Sequence, residues 1–118
     1  MGAIEYPADV VRELNDLRTQ SHHAVTELFK LEREQVEAEM EADKVEATSF
    51  LSAEGTIPER QAYAKLLSLE FRKTAEIARI KVNYAKNRIK QLSEATNAVQ
   101  TASRMIDLQW RTAGVEGR

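Results

Sequence analysis

This sequence has no cysteine and contains little proline, glycine or aromatic residue. Its 118 residues include two prolines, four glycines, one tryptophan, three tyrosines and three phenylalanines. The absence of cysteine excludes disulfides and thiol catalysis and is compatible with a reducing compartment. Strand-rich folds need more turn residues than this, whereas 42% hydrophobic and 31% charged residues are typical of long helices. We therefore expect an all-α protein in which residues 1–118 form a single domain.

Long apolar runs and catalytic motifs are also missing. No segment approaches the roughly 20 apolar residues that span a bilayer, and the N-terminus lacks the basic start and apolar run of a secretory signal. There is no glycine-rich phosphate loop and no strand-turn-helix nucleophile motif. His22 and His23 are adjacent, so on a helix they diverge by about 100° and cannot bind one metal ion together. We expect a soluble, cytoplasmic, noncatalytic protein with no metal, cofactor or small-molecule substrate.

The first half of the sequence predicts one long helix over about residues 7–53. Pro7 and Asp9 suit a first helical turn, and Gly55 suits the closure of a helix C-terminus. Apolar residues recur at alternating three- and four-residue steps, as in a coiled-coil seam. The members of this seam are Leu14, Leu17, Ala24, Leu28, Leu31, Ala38, Ala42 and Val45, with Ser21 and Gln35 in the same phase. Poor helix formers around Ser21-His22 leave open a break that would give three helices.

A second helix is predicted over about residues 57–112, after a turn at 54–56. Thr56 and Glu59 have the spacing of a capping box, and Pro58 suits a helix start. A connection this short makes the helices antiparallel, so the predicted fold is a long, coiled-coil-like two-helix hairpin. The face assigned to helix one contains Leu67, Phe71, Ala78, Val82, Ala85, Ile89 and Leu92. The seam then continues, beyond the expected reach of helix one, through Val99, Ala102, Ile106 and Trp110.

Helix two has a second apolar face that one partner helix cannot cover. It is formed by Leu66, Leu69, Ile77, Ile80 and Tyr84. Five large apolar side chains left exposed would favour aggregation of a monomer. We therefore expect a homo-oligomer, or coverage of this face by the N-terminal segment. Trp110 is a further candidate partner contact, although a lone aromatic residue at a seam position more often serves ordinary packing.

Charge is divided between the two halves of the chain. Residues 1–55 contain 5 Lys/Arg and 13 Asp/Glu, a net charge of −8, whereas residues 56–118 contain 12 and 6, a net of +6. The acidic residues cluster in a run formed by Glu32, Glu34, Glu37, Glu39, Glu41, Asp43 and Glu46. The simplest interpretation is that acidic and basic residues flank the seam and select the antiparallel register.

A basic surface on helix two is the main candidate site. Folding about Gly55 pairs positions whose numbers sum to about 111, so the acidic run faces residues 65–79. Several later cations then lie opposite the nearly uncharged residues 21–30. The candidate nucleic-acid-binding residues are Arg72, Arg79, Lys81, Lys86, Arg88 and Lys90. Such residues can follow a phosphate backbone, although a solvated helix flank has the same composition. The overall acidity limits any such site to a local surface or one created by oligomer assembly.

The turn also carries a family resemblance. Residues 50–62 read F-L-S-A-E-G-T-I-P-E-R-Q-A, and the basic helix that follows closes on I-D-L-Q-W-R-T-A-G at residues 106–114. This layout resembles small helical-hairpin proteins of bacteriophage recombination and replication modules, which share the turn A-E-G-(S/T)-x-x-E-R-x-A. Pro58 departs from that pattern. The resemblance implies a phage-encoded accessory factor, without catalytic residues, that acts near single-stranded DNA or an annealing recombinase.

Two other functions fit the same residues. One is a protein-binding inhibitor of a host defence or repair enzyme, which would use the acidic run or the second apolar face. The other is a structural assembly factor. Charge reversal on the basic surface separates these functions, because it would abolish nucleic-acid binding and leave binding through the acidic helix intact.

Overall fold

The computed structural model describes the backbone of residues 7–116 and the side chains of residues 8–114. Two helices account for nearly all of it: α1 spans Pro7–Ser52 and α2 spans Ile57–Glu116. No strand occurs within residues 7–116, so the predicted all-α fold, with two long helices joined by a short turn, is confirmed.

The first helix is continuous through Ser21 and His22, so the three-helix alternative is wrong. The coiled-coil seam runs through this stretch, where Leu17 is buried and Ser21 and Ala24 are half-buried. Packing of an amphipathic face outweighs the weak helix propensity of a few residues in a long helix.

The chain forms two compact units, and each contains one segment of each helix. The terminal unit comprises residues 1–25 and 87–118, of which residues 7–25 and 87–116 are described. The turn unit comprises residues 26–86. That residues 1–118 form a single domain stays a prediction.

Large aliphatic residues make the core of the terminal unit. Val10, Leu17, Leu92 and Val99 are buried together, and further residues pack against them. Those partly buried residues are Leu14, Ala24, Ala95 and Ile106. The expectation that Val99 and Ile106 lie beyond the reach of helix one is therefore wrong. Val10 continues the seam one step toward the N-terminus from Leu14, and this step was missed in the sequence.

Small residues make the seam of the turn unit. Ala42, Ala64 and Ser68 are 0%, 2% and 1% exposed, and Ala75, Val82 and Ala85 are also buried. Small side chains at such a contact permit a close approach of the two helices. Ser68 is accommodated because its hydroxyl donates a hydrogen bond to the Lys65 carbonyl at 3.2 Å.

The predicted seam is confirmed on α1 and partly wrong on α2. Every predicted α1 position from Leu14 to Val45 is buried or half-buried. On α2, however, Leu67 is 43% exposed and Phe71 is 39% exposed. Heptad steps taken back from Val82 reach Ser68 rather than Leu67, so the periodicity outweighs the hydrophobicity of the individual residue.

The turn between the helices depends on Gly55 and Thr56. Gly55 has φ of +111°, a conformation that residues with a Cβ atom rarely adopt. A Cβ atom at this position would also collide with the carboxylate of Glu59, which folds back beside the glycine. The Glu59 amide donates to the Thr56 hydroxyl at 3.4 Å, as the predicted capping box requires at its threonine. Gly55 and Thr56 therefore end one helix and start the next within four residues.

Arg60 ties the start of α2 to the end of α1. Its Nε and Nη2 donate to the Phe50 carbonyl at 3.2 and 3.0 Å, and its guanidinium carbon lies 4.4 Å from the centroid of the Phe50 ring. Carbonyls in the last turn of a helix lack regular intrahelical donors, and an aromatic face attracts a cation. One arginine thus supplies both a helix cap and a cation–π contact.

We expect Arg60→Ala to lower the free energy of unfolding by about 2 kcal/mol, because it removes a charged hydrogen-bond donor from a partly buried carbonyl. Urea denaturation followed by circular dichroism would measure the change. Arg12→Ala is the control, since Arg12 pairs with the nearby Asp9 only at 4.0 Å on the surface and should change stability by less than about 1 kcal/mol. Equal effects of the two substitutions would show that the Arg60 contacts do not stabilise the turn.

Candidate interaction surfaces

Four basic residues of the turn unit occupy one heptad position beside the seam. Lys65, Arg72, Arg79 and Lys86 are seven residues apart and each follows a seam position. We call them the basic flank. All four are exposed, but their environments differ.

Arg72 forms ion pairs with two carboxylates of α1. Its Nη2 lies 2.8 Å from Asp43 Oδ1 and also pairs with the Glu46 carboxylate. The hydrogen bond to Glu46, followed by that to Asp43, raises the pKa of Arg72 above its ordinary value. Arg72 therefore has the register-selecting role that flanking charges have in coiled coils, and its charge is already compensated.

Arg79 is paired within its own helix. Its Nε lies 3.1 Å from both carboxylate oxygens of Glu76, and its Nη2 also contacts this carboxylate. The hydrogen bond from Arg79 lowers the pKa of Glu76, and the same contact raises the pKa of Arg79. Both side chains are solvent-exposed, so the pair is open to competition from a ligand phosphate.

Lys86 makes no ion pair within the described part of the chain. Glu39 and Glu32 precede Glu46 at heptad intervals, so a repeat of the Glu46–Arg72 contact along the helices would pair Glu39 with Arg79 and Glu32 with Lys86. Neither ion pair forms within the described part of the chain. There, Lys65 and Lys86 make no ion pair at all.

The four predicted nucleic-acid-binding residues of the turn unit lie on both sides of the seam. In the turn unit, Lys81 immediately precedes the seam residue Val82 and so flanks the side of the seam opposite Lys86. In the terminal unit, Arg88 donates to the Gln20 side-chain carbonyl at 3.1 Å, and Lys90 is exposed. Among the described residues, neither Lys81 nor Lys90 makes an ion pair.

The contacts Gln20–Arg88 and Phe50–Arg60 agree with the register expected from folding about Gly55, since their numbers sum to 108 and 110, whereas Glu46–Arg72 sums to 118 and lies one heptad away. Gln20 meets Arg88 in the terminal unit, whereas Glu46 meets Arg72 and Phe50 meets Arg60 in the turn unit. The sequence therefore predicted which segments face each other. The sequence did not predict which cations form ion pairs, because a long side chain can reach a carboxylate on either helix.

The second apolar face of α2 is exposed, as its position in the sequence indicated. We call it the α2 outer stripe: Leu66, Leu69, Ile77, Ile80 and Tyr84, which range from 45% exposed at Ile77 to 76% at Tyr84. The alternative that the N-terminal segment covers this face concerns residues 1–6, which lie outside the described residues. In the terminal unit, Trp110 is 57% exposed and lines a shallow recess with Val10 and Ile106.

A similar stripe on α1 was missed in the sequence. We call it the α1 outer stripe: Phe29, Val36, Met40 and Leu51, all more than half exposed. The signal was present as steps of seven, four and eleven residues out of phase with the seam, but it was hidden by the surrounding glutamates. The turn unit thus buries small side chains and exposes large ones, which reverses the usual distribution.

His22 and His23 are neighbours on α1. The rings of His22 and His23 are tilted by 58° with centroids 6.2 Å apart. No group of three or more potential metal ligands occurs among the residues described. Neither helix, over its described length, is apolar enough to cross a membrane.

Comparison with known proteins found no match to this chain among protein-family models, curated proteins or solved structures. The argument for function therefore rests on the surfaces described above and on the resemblance carried by the turn.

Proposed function

We propose that this protein is a noncatalytic accessory factor of DNA recombination or replication, of the phage type, that acts in the cytoplasm, which is the host cytoplasm if a phage encodes it. It binds single-stranded nucleic acid, or a protein that handles it, through basic residues of α2. The observation that carries the proposal is that the lysines of α2 are exposed and form no ion pairs within the described part of the chain. Flexible ammonium groups of this kind bind phosphates as point charges.

The residues available for binding differ between the units. The turn unit offers Lys65 and Lys86, with Arg79 able to exchange Glu76 for a phosphate. The terminal unit offers Lys90, and Arg88 can exchange its neutral partner Gln20 for a phosphate. Arg72 is excluded because its two carboxylate partners hold α1 and α2 in register.

We expect binding with little sequence preference and a strong dependence on salt concentration. For single strands, the logarithm of the affinity falls with the logarithm of salt concentration by about 0.7 for each phosphate neutralised. Anisotropy of a fluorescent oligothymidylate, titrated with protein at several salt concentrations, measures this slope. No binding at low salt would overturn the proposal of nucleic-acid binding.

The substitution test reverses charge on the basic flank. We expect Lys65→Glu/Lys86→Glu to weaken binding at least about tenfold and to reduce the salt slope by roughly 1.4, since two phosphate contacts are lost. Lys30→Glu/Lys44→Glu is the matched control, because it makes the same change in net charge at exposed positions of α1 in the same unit. Equal weakening by the control would assign the effect to overall charge and reject a site on α2. Arg88→Glu/Lys90→Glu tests the terminal unit separately.

The α1 outer stripe supports a second candidate function. Four large exposed side chains beside a run of glutamates suit a protein partner with an apolar surface and basic surroundings. This is the surface an inhibitor of a defence or repair enzyme would use. Phe29→Ser/Met40→Ser separates the two functions, because it removes this surface and leaves the basic flank unchanged.

A further inference from the structure

The α2 outer stripe needs a partner for a reason that goes beyond its exposure. In the turn unit, the buried seam residues are mainly alanine and serine, and Val82 is the largest of them. The five apolar residues of the α2 outer stripe are 45% to 76% exposed, so contact with a partner would remove their apolar area from water. A second copy of the chain can cover these residues if its charges match.

Charged residues along the α2 outer stripe are arranged so that an antiparallel second copy of the stripe brings opposite charges side by side. Glu70, Lys73, Glu76 and Lys81 lie on or beside it. If a second α2 runs antiparallel with Ala75 at the crossing point, Glu70 lies next to Lys81 of the second copy. Lys73 likewise lies next to Glu76 of the second copy, and each pair occurs twice because the arrangement is symmetric.

The apolar residues match in the same register. Leu66 lies opposite Tyr84 of the second copy, and Leu69 lies next to Ile80 of the second copy. All of these side chains are exposed in the chain by itself, so their pairing requires no rearrangement of the seam. One register therefore pairs four of the five apolar residues and all four charged residues, while Ile77 falls opposite Lys73 of the second copy.

Other arrangements of two copies lack this match. Parallel pairing of α2 would place every residue opposite its own equivalent, with like charges together. Pairing of α1 with another α1 would bring the glutamates of two acidic runs into proximity. Pairing of α1 with α2 of another copy satisfies the charges, but such a head-to-tail contact produces a closed assembly only if its rotation completes a ring.

We propose that two copies of this chain associate through the α2 outer stripe, antiparallel, about a two-fold axis that crosses the stripe at the level of Ala75, whose own side chain is buried in the seam. The interface is isologous and limits assembly to a dimer. It uses Lys81, which is thereby withdrawn from the candidate nucleic-acid surface, and it leaves Lys65 and Lys86 at the basic flank. The proposal is independent of nucleic-acid binding, since it concerns the protein alone.

Disulfide trapping tests the orientation directly, because the chain has no native cysteine. A disulfide needs Cα atoms within about 7 Å, and the two-fold axis brings residue 66 beside residue 84 of the second copy. Residues 66 of the two copies are separated by roughly 27 Å along the helix. Oxidation of Leu66→Cys mixed with Tyr84→Cys should therefore give a cross-linked dimer, whereas each variant alone should remain uncross-linked. Cross-linking of either variant alone, or the absence of cross-linking in the mixture, overturns the proposal.

Two controls test whether the α1 outer stripe of another copy, or an open head-to-tail assembly, covers the α2 outer stripe instead. Phe29→Cys mixed with Tyr84→Cys reports contact between the α1 outer stripe of one copy and α2 of another, and cross-linking as efficient as the Leu66→Cys mixture would overturn the proposal. Sedimentation equilibrium should give twice the 13.4 kDa chain mass. A mass that keeps rising with concentration would indicate open head-to-tail assembly and would also overturn it.

A charge exchange tests the register. We expect Glu70→Lys to weaken dimerisation about tenfold, because two favourable pairs become like-charge pairs. Adding Lys81→Glu to that variant should restore the dimer, since each reversed charge again faces its opposite in the second copy. Failure of the double variant to recover would overturn the pairing. Lys65→Glu/Lys86→Glu should leave the dimer mass unchanged, so a failure of the nucleic-acid proposal is distinguishable from a failure of this one.

Discussion

Replacing Leu92 with alanine should lower the free energy of unfolding by about 3 kcal/mol, because the substitution removes transfer free energy and leaves a cavity. Leu92 is 3% exposed and belongs to the core cluster of the terminal unit with Val10, Leu17 and Val99. Few other large side chains are available to fill the space, since the described part of this unit has four buried members in its core cluster. Urea denaturation followed by circular dichroism would measure the loss.

Leu108→Ala is the matched control for Leu92→Ala. Leu108 lies on the same helix in the same unit but is 65% exposed. Its truncation should therefore change stability by less than about 0.5 kcal/mol. If the two substitutions cost the same, the packing of Leu92 against α1 does not hold the terminal unit together.

The turn unit should be destabilised by a larger residue in its seam, whereas the terminal unit is destabilised by a smaller one. Ala42 is completely buried in a seam of alanine and serine, so Ala42→Leu has no space for the added carbon atoms. We expect this substitution to lower the free energy of unfolding by about 3 kcal/mol, near the upper end of the usual cost of overpacking, because the helices must separate or the leucine must leave its preferred rotamer. The same denaturation experiment measures it.

Ala47→Leu is the control for Ala42→Leu, since Ala47 lies five residues farther along α1 and is exposed. It should be nearly neutral and keep the helix-forming character of the position. If Ala42→Leu is also nearly neutral, the seam has room for a larger residue and is not closely packed.

Much of the fold could be predicted because the apolar residues that define it recur at regular intervals. The α1 seam, the turn and the antiparallel register all follow from spacing and from residues with restricted roles, such as Gly55 and Thr56. The prediction at Leu67 is wrong because side-chain size, and not hydrophobicity alone, decides which residue occupies the seam. In a seam of small side chains, Ser68 is the better occupant even though leucine is the more hydrophobic neighbour.

The candidate surfaces were less predictable because they depend on side-chain partners. Arg72 and Arg79 share a heptad position, yet one pairs with α1 and the other with Glu76 on its own helix. No spacing rule distinguishes these outcomes, because both partners are within reach of a long side chain. The contact of Arg60 with the Phe50 carbonyl is of the same kind, since any cation near the turn is a candidate for that position.

The contrast between the two seams also constrains how this sequence can change through evolution. In the terminal unit, drift toward smaller residues removes the core, so selection there sets a minimum side-chain volume. In the turn unit, drift toward larger residues separates the helices, so selection there sets a maximum. Related sequences are thus expected to keep bulky aliphatic residues in the seam of the terminal unit and alanine, serine or glycine in the seam of the turn unit, even where their charged residues differ.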